Sequence, residues 1–323
     1  MNIWGEKLRI SLFGESHGTA IGVTIDGLPH GFTLDLERIA TEMTRRAPGQ
    51  NAGSTSRHES DNVEVLSGLM NNVTTGAPLC GIIRNTDVRS HDYTLEKLRP
   101  GHADWTAFLK FKGHADMRGG GPFSGRLTAP LTFAGAVARQ YLERQNVSIS
   151  THSNVNYDEI LRVKAENDSI GGIIELLVEN IPAGLGDLFF GSVESRLSSL
   201  LFSIPAVKGV EFGDGFRLSS MRGSEANDQL CLENGKISAF SNHNGGVLGG
   251  ITNGLPLVAR VAIKPTPSIG LPQKTVNVSN MSEMTVTVGG RHDPCIVPRA
   301  MPVVEAAAAI CILDLILCNG EYL

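Results

Sequence analysis

The chain has 323 residues, 41% apolar and 19% charged, which excludes a disordered or fibrous protein and allows a buried core without disulfides or metals. Its formal net charge of -5 lacks the basic footprint of a general nucleic-acid binder, though it leaves room for a locally basic pocket. Five scattered cysteines with no CxxC pair fit a reducing compartment, so a soluble cytoplasmic protein with free thiols is expected.

The first ten residues carry no long apolar run and no secretory signal. β-branched runs bounded by Gly or Pro predict strands over 9–13 and 21–25. A helix is predicted over 34–46, with Leu36, Ile39, Ala40 and Met43 on one face. A strand follows at 79–83, a helix at 129–145, a strand at 172–181 and a helix at 193–202. Strands at 207–212 and 257–263 precede the strongest helical pattern, 301–317. Its apolar run from Val303 to Leu317 is interrupted by Glu305 and Asp314 and is too short to span a bilayer, so it is read as a buried helix and no membrane is expected. Strands with helices inserted irregularly favour an α+β fold over regular βαβ units. With no low-complexity linker and no fixed-period repeat, residues 1–323 read as one domain; GHAD occurs at 101–104 and again at 113–116, too little for a structural repeat.

The chemistry lies in the loops. Glycine is abundant, at 37 residues, so much of the backbone must turn tightly or approach something closely. GESHG (14–18) sets an acid, a hydroxyl and His17 between glycines after a strand. RRAPG (45–49) ends a helix, and RPGHAD (99–104) puts a cation and His102 on a rigid turn. RGGG (118–121) runs through SGRLT (124–128) into a helix, a turn that offers backbone N–H groups and the positive end of the helix dipole to an anion. KPTPS (264–268) and GRHDPC (290–295) follow. Cations or histidines thus flank Gly or Pro in six loops of an acidic chain, as a preorganised pocket for phosphate and carboxylate groups requires. His30, His58, His152 and His243 have no convincing sequence partners and read as surface or loop histidines. His114 and Asp116 with His102 and Asp104 match no metal-ligand spacing, so no metal is assigned, and the chain shows no Walker A sequence, no GxGxxG after a strand and no HExxH.

GESHG, RRAPG, RPGHAD, RGGG, GRHDPC and PRAMPVVEA (298–306), in this order, together with TTGAPL, NTDVRSHDY, PAGLG, VKGVEFGDGF, SNHNGG and KPTPS, resemble the chorismate synthase family over nearly the whole chain. The resemblance implies a β-α-β sandwich of antiparallel sheets around helices, a homotetramer, and elimination of phosphate from 5-enolpyruvylshikimate 3-phosphate to give chorismate with reduced FMN. By motif it implies His17, His102 and Asp314 as catalytic residues, with His102 at the leaving phosphate and His17 and Asp314 handling protons near the flavin. It implies flavin contacts from Ser124, Glu225, Ala226, Gly249, Lys264, Pro265, Thr266, Pro267, Ser268 and Arg291, and substrate contacts from Arg45, Arg46, Arg126 and Arg299. The chain departs from the family pattern where Pro122, Leu131 and Ala52 replace basic residues and Leu127 replaces a glutamate. No sequence feature says whether NADPH reduces the flavin on the protein itself. The alternatives are a non-catalytic flavin- or anion-binding relative, whose mark would be loss of His17 and His102, and a metal-dependent hydrolase.

Overall fold

The computed structural model describes residues 2–49, 61–86, 97–289 and 293–320. Two kinds of apolar pattern build it. Alternation makes sheet: Leu257–Ile263 buries Leu257, Ala259, Val261 and Ile263, every second side chain, and so needs cover on one face only. Continuous apolarity makes inner helix: Thr128–Glu143 and Val297–Cys318 are buried on nearly all sides.

The first sheet contains β1 (Ile3–Trp4), β2 (Arg9–Gly14), β3 (Ala20–Asp26), β4 (Glu64–Ser67) and β5 (Leu79–Arg84), in the order β1-β2-β3-β5-β4, every pair antiparallel. The second contains β6 (Ser148–Ser153), β7 (Gly172–Glu179), β8 (Val207–Phe212) and β9 (Leu257–Ile263), in the order β8-β9-β7-β6, again antiparallel throughout. The described helices are α1 (Leu36–Arg46), α2 (Asp104–Phe111), α3 (Thr128–Glu143), α4 (Tyr157–Ala165), α5 (Val193–Leu201), the single turn α6 (Gly223–Ala226) and α7 (Val297–Cys318). Helix α3 packs on β3 and β5, α7 packs on β6 and β7, and the two helices pack on each other, so the expected β-α-β sandwich is observed. Their crossing needs Gly135, because a Cβ there would collide with Ala306.

One length expectation is corrected. Helix α7 has 22 residues and is long and apolar enough to cross a membrane. It begins earlier than expected because Pro298 lies in its first turn, where helix N–H groups have no intrahelical partner to lose. Its apolar surface is instead covered by β6, β7, α1, α3 and α5.

The sandwich delivers loops to one place. Asp35 caps α1, accepting from the backbone N–H of Glu37 (3.0 Å) and Arg38 (3.1 Å), and this fixed start carries Arg46 to the last turn. The β2–β3 turn carries Ser16 and His17, and the chain from Arg118 to Leu127 leads into α3.

Candidate active site

Three consecutive glycines set the geometry. Gly119, Gly120 and Gly121 all have positive φ, at 60°, 89° and 53°, conformations that a residue with a side chain adopts only with strain. A Cβ at Gly119 would collide with the His17 ring, and one at Gly120 would lie 3.3 Å from His102 Nε2 and 3.6 Å from Ser124 Cβ. His17 and His102, 85 residues apart in sequence, are therefore brought against neighbouring residues of one loop. His17 is buried, and its charge helps to hold the Asp116 carboxyl low, behind the larger effect of the Arg118 hydrogen bonds.

His102 is set on its turn by charged neighbours. Its Nδ1 lies 2.7 Å from Asp104 Oδ1, and Arg99 donates to the same carboxylate through Nε (2.8 Å) and Nη2 (2.8 Å). Burial pushes the Asp104 carboxyl up, but Arg99 and His102 outweigh it and hold the group far below the usual carboxylate range. From the other side Lys264 Nζ donates to Gly101 O at 2.5 Å, and Pro267 packs where a Cβ at Gly101 would point. The 264–268 segment thus lies on the His102 turn, with Ser268 buried.

Beyond the glycines lies a buried cluster of charge. Arg46 donates to Asp61 Oδ2 (2.6 Å), Thr128 Oγ1 (3.1 Å) and Gly125 O (2.9 Å), and Arg126 pairs with the other oxygen of Asp61. Burial lowers the Arg46 guanidinium to about 10, which leaves it charged at neutral pH. Burial also pushes Asp61 up, but the two arginines prevail and keep it ionised. Asn85 joins this cluster to the histidine loop: it accepts from Arg126 Nε (3.2 Å) and donates to Glu15 O (3.1 Å) and Gly18 O (2.8 Å). Arg299 reaches Arg46 O with Nε (3.2 Å) and pairs with Asp293. Two histidines, a glycine cradle and a buried group of arginines make a site for a multiply anionic ligand whose departing group can be met by a proton or a cation.

The sequence model of the family described as chorismate synthase matches residues 8–158 and 153–317. The chain belongs to the chorismate synthase family. It is 43% identical to the chorismate synthase of Dehalococcoides mccartyi over 99% of this chain and 97% of that one. To the chorismate synthase of Thermococcus kodakarensis it is 44% identical, over 96% of each. A solved crystal structure of chorismate synthase superimposes with a TM-score of 0.74 at 27% identity, covering 98% of this chain and 93% of that one. A non-catalytic relative is not the reading these matches support; the family is one of lyases.

Set against the family expectation, His17, His102, Ser124, Arg46, Arg126, Arg299 and the 264–268 segment come together. Arg291 and Ala52 lie outside the described residues. Arg45 does not join the cluster: it pairs with Glu305 through Nη1 (2.6 Å) and Nη2 (2.9 Å), which raises its already high pKa. Glu225 caps its own turn, accepting from Arg222 N (3.0 Å), and Gly249 sits in the turn between Val247–Leu248 and Ile251–Thr252; no hydrogen bond or close contact of Glu225, Ala226 or Gly249 reaches the histidine loops among the described residues. Asp314 is fully buried at the far end of α7 and accepts from the backbone N–H groups of Glu6 (3.1 Å), Lys7 (2.8 Å) and Leu8 (2.8 Å) and from Arg196. The structure therefore does not bring Asp314, to which the family resemblance gives a catalytic role, to the histidines: its backbone donors come from the N-terminal segment. Leu131 points into the hydrophobic core, so no cation is missing from the pocket at that position.

Other residues were missed. His243, read as unpartnered, has Asp214 Oδ2 2.8 Å from its Nδ1. Asp61 gave no signal, being one acid in a polar stretch, whereas Asp104 stood two residues after His102 and was weighed only as a metal ligand. Among the described residues no group of three or more His, Cys, Asp or Glu is placed to hold a metal ion.

Proposed function

We propose that residues 1–323 form a single chorismate synthase domain, a carbon–oxygen lyase that converts 5-enolpyruvylshikimate 3-phosphate to chorismate by 1,4-anti elimination of phosphate and the C6 hydrogen. The observation that carries this reading is the meeting of His17 and His102 on Gly119 and Gly120, next to the Arg46–Asp61–Arg126 cluster. The phosphate leaves with the electrons of its C–O bond, and His102 meets the developing charge with its Nε2 side. Arg46, Arg126 and Arg299 hold the substrate's phosphate and carboxylates, and His17 holds a proton beside the glycine loop.

The residues fit reduced FMN. The glycine turn has no side chains of its own, so its backbone can approach a ligand, and the buried hydroxyls of Ser16 and Thr266 have no hydrogen-bond partner among the described residues. Ser124, Lys264, Pro265, Thr266, Pro267, Ser268 and Arg291 would hold it, and when bound it supplies the electron chemistry of the elimination. A homotetramer is supported by large apolar side chains left in water, among them Phe190 (95% exposed), Phe216 (84%) and Phe240 (79%). Such an assembly would also let the exposed Glu225 and Gly249 serve a neighbouring copy's site. Five cysteines without a disulfide support a cytoplasmic setting in the pathway to aromatic amino acids.

The test is an anaerobic assay of phosphate release from the enolpyruvyl substrate. Release is expected with reduced FMN, and little is expected with oxidised FMN and NADPH alone, because the chain has no dinucleotide fingerprint. No release with reduced FMN would refute the function; robust release with NADPH and oxidised FMN in air would refute only the need for an outside reductant.

A further inference from the structure

We propose that Asp104 is the positioning residue of His102: it holds the proton on Nδ1 and so presents Nε2 to the glycine loop. The inference rests on His102 belonging to the site proposed above.

The hydrogen-bond geometry favours one tautomer. Asp104 Oδ1 lies 2.7 Å from His102 Nδ1, and Arg99 Nη2 lies 3.0 Å from the same nitrogen. Were Nδ1 bare, its lone pair would face a carboxylate lone pair at 2.7 Å, a repulsive contact in a part-buried place. With the proton on Nδ1, the carboxylate accepts it at 2.7 Å, the shorter of the two contacts, and Arg99 Nη2 directs one of its two protons to Asp104 Oδ1 at 2.8 Å. The other imidazole nitrogen is then fixed: Nε2 faces Gly120, where a Cβ would come within 3.3 Å of it. Neutral His102 thus offers a lone pair there, and the imidazolium offers a proton.

Asp104 is itself over-determined. It also accepts from Arg99 N (2.9 Å), and as the first residue of α2 it sits where a negative charge is favoured by the helix dipole. The charged groups around the His102 turn are Arg99 and Asp104 on the turn itself and Lys264 from the 264–268 segment, which donates to Gly101 O. Of these, Asp104 alone can accept the Nδ1 proton, so the aspartate sets the direction of the ring. The second GHAD copy is not built this way: Asp116 is engaged by Arg118 Nε (2.8 Å) and Nη2 (2.6 Å), and it lies within electrostatic reach of His17.

The experiment is ring-nitrogen NMR of the full-length protein labelled only at histidine, with the His102 signal assigned by its loss in His102→Gln. In the wild type the neutral ring is expected to carry its proton on Nδ1. In Asp104→Asn the tautomer is expected to become mixed, because the amide can either accept from or donate to Nδ1. Phosphate release by Asp104→Asn should drop about 100-fold with KM nearly unchanged. An aspartate that merely stabilised the turn would lower the melting temperature without moving the His102 tautomer. A wild-type ring protonated at Nε2, or an Asp104→Asn protein with the tautomer of the wild type, would overturn the proposal. Because the spectra need neither flavin nor substrate, they decide the pairing even if the wild type releases no phosphate, a result that would sink the proposed function alone.

Discussion

Asp61 and Asp314 are both enclosed acids held by arginine, at opposite ends of the helical layer, and the ratio of charges around them differs. Asp314 meets one half-buried arginine, Arg196, and three backbone N–H groups, and Arg196 has a second acid in Glu6 at 2.7 Å. Every lone pair there is used, and the region fastens the N-terminal segment to α5 and α7. Asp61 is shared by two arginines, with a third, Arg299, behind Arg46, and the cluster opens onto two histidines and a glycine cradle. A buried carboxylate with matched donors is part of the frame. One outnumbered by cations beside two histidines is suited to an anionic ligand.

The largest effect should come from Asp314→Asn, which removes the charge opposite Arg196 and turns an amide N–H₂ toward backbone donors. Breaking a buried pair in this way costs about 3–5 kcal/mol of stability, read by denaturant unfolding, while the folded fraction should bind oxidised FMN as the wild type does. Full stability with lost flavin binding would instead return Asp314 to the proton-handling role expected from its motif. At the other cluster, Arg126→Ala should weaken flavin or substrate binding by about tenfold or more, since each charge-assisted hydrogen bond is worth roughly 1.5–3 kcal/mol. The smallest change is Pro122→Arg: position 122 is exposed beside the glycines, and a cation there should tighten one of the ligands modestly in a binding titration. If Pro122→Arg weakens both ligands and Arg126→Ala alters neither, this loop is not at the active site.

The strands Val207–Phe212 and Leu257–Ile263 and the helices α1, α3, α5 and α7 were legible in the sequence because periodicity and Gly or Pro boundaries mark them directly. Helix α2 was not: Trp105, Phe108, Leu109 and Phe111 are all exposed, so its eight residues show no stripe turned to a core. Strand β6, with the sequence SISTHS, buries only Ile149 and Thr151 and is too polar to stand out. Within the site, loop motifs named His17, His102, Arg46 and Arg126, because glycine and proline hold them at fixed offsets. The groups that neutralise and aim them, Asp61, Asn85, Asp104 and Asp293, depend on pairings across the fold or across a turn, and residue type alone does not announce those. Asp314 shows the converse, a motif-adjacent acid whose backbone donors lie 306 to 308 residues away at the N-terminus, with Arg196 118 residues away, so that its packing is invisible in the local sequence.

The central claim, that the histidines on the glycine cradle perform the reaction, is tested most directly by His102→Ala. Anaerobic phosphate release with reduced FMN should fall 10²–10⁴-fold, roughly 3–5 kcal/mol of transition-state stabilisation, while oxidised FMN still binds. Turnover within a few-fold of the wild type would contradict the claim and remove His102 from the mechanism.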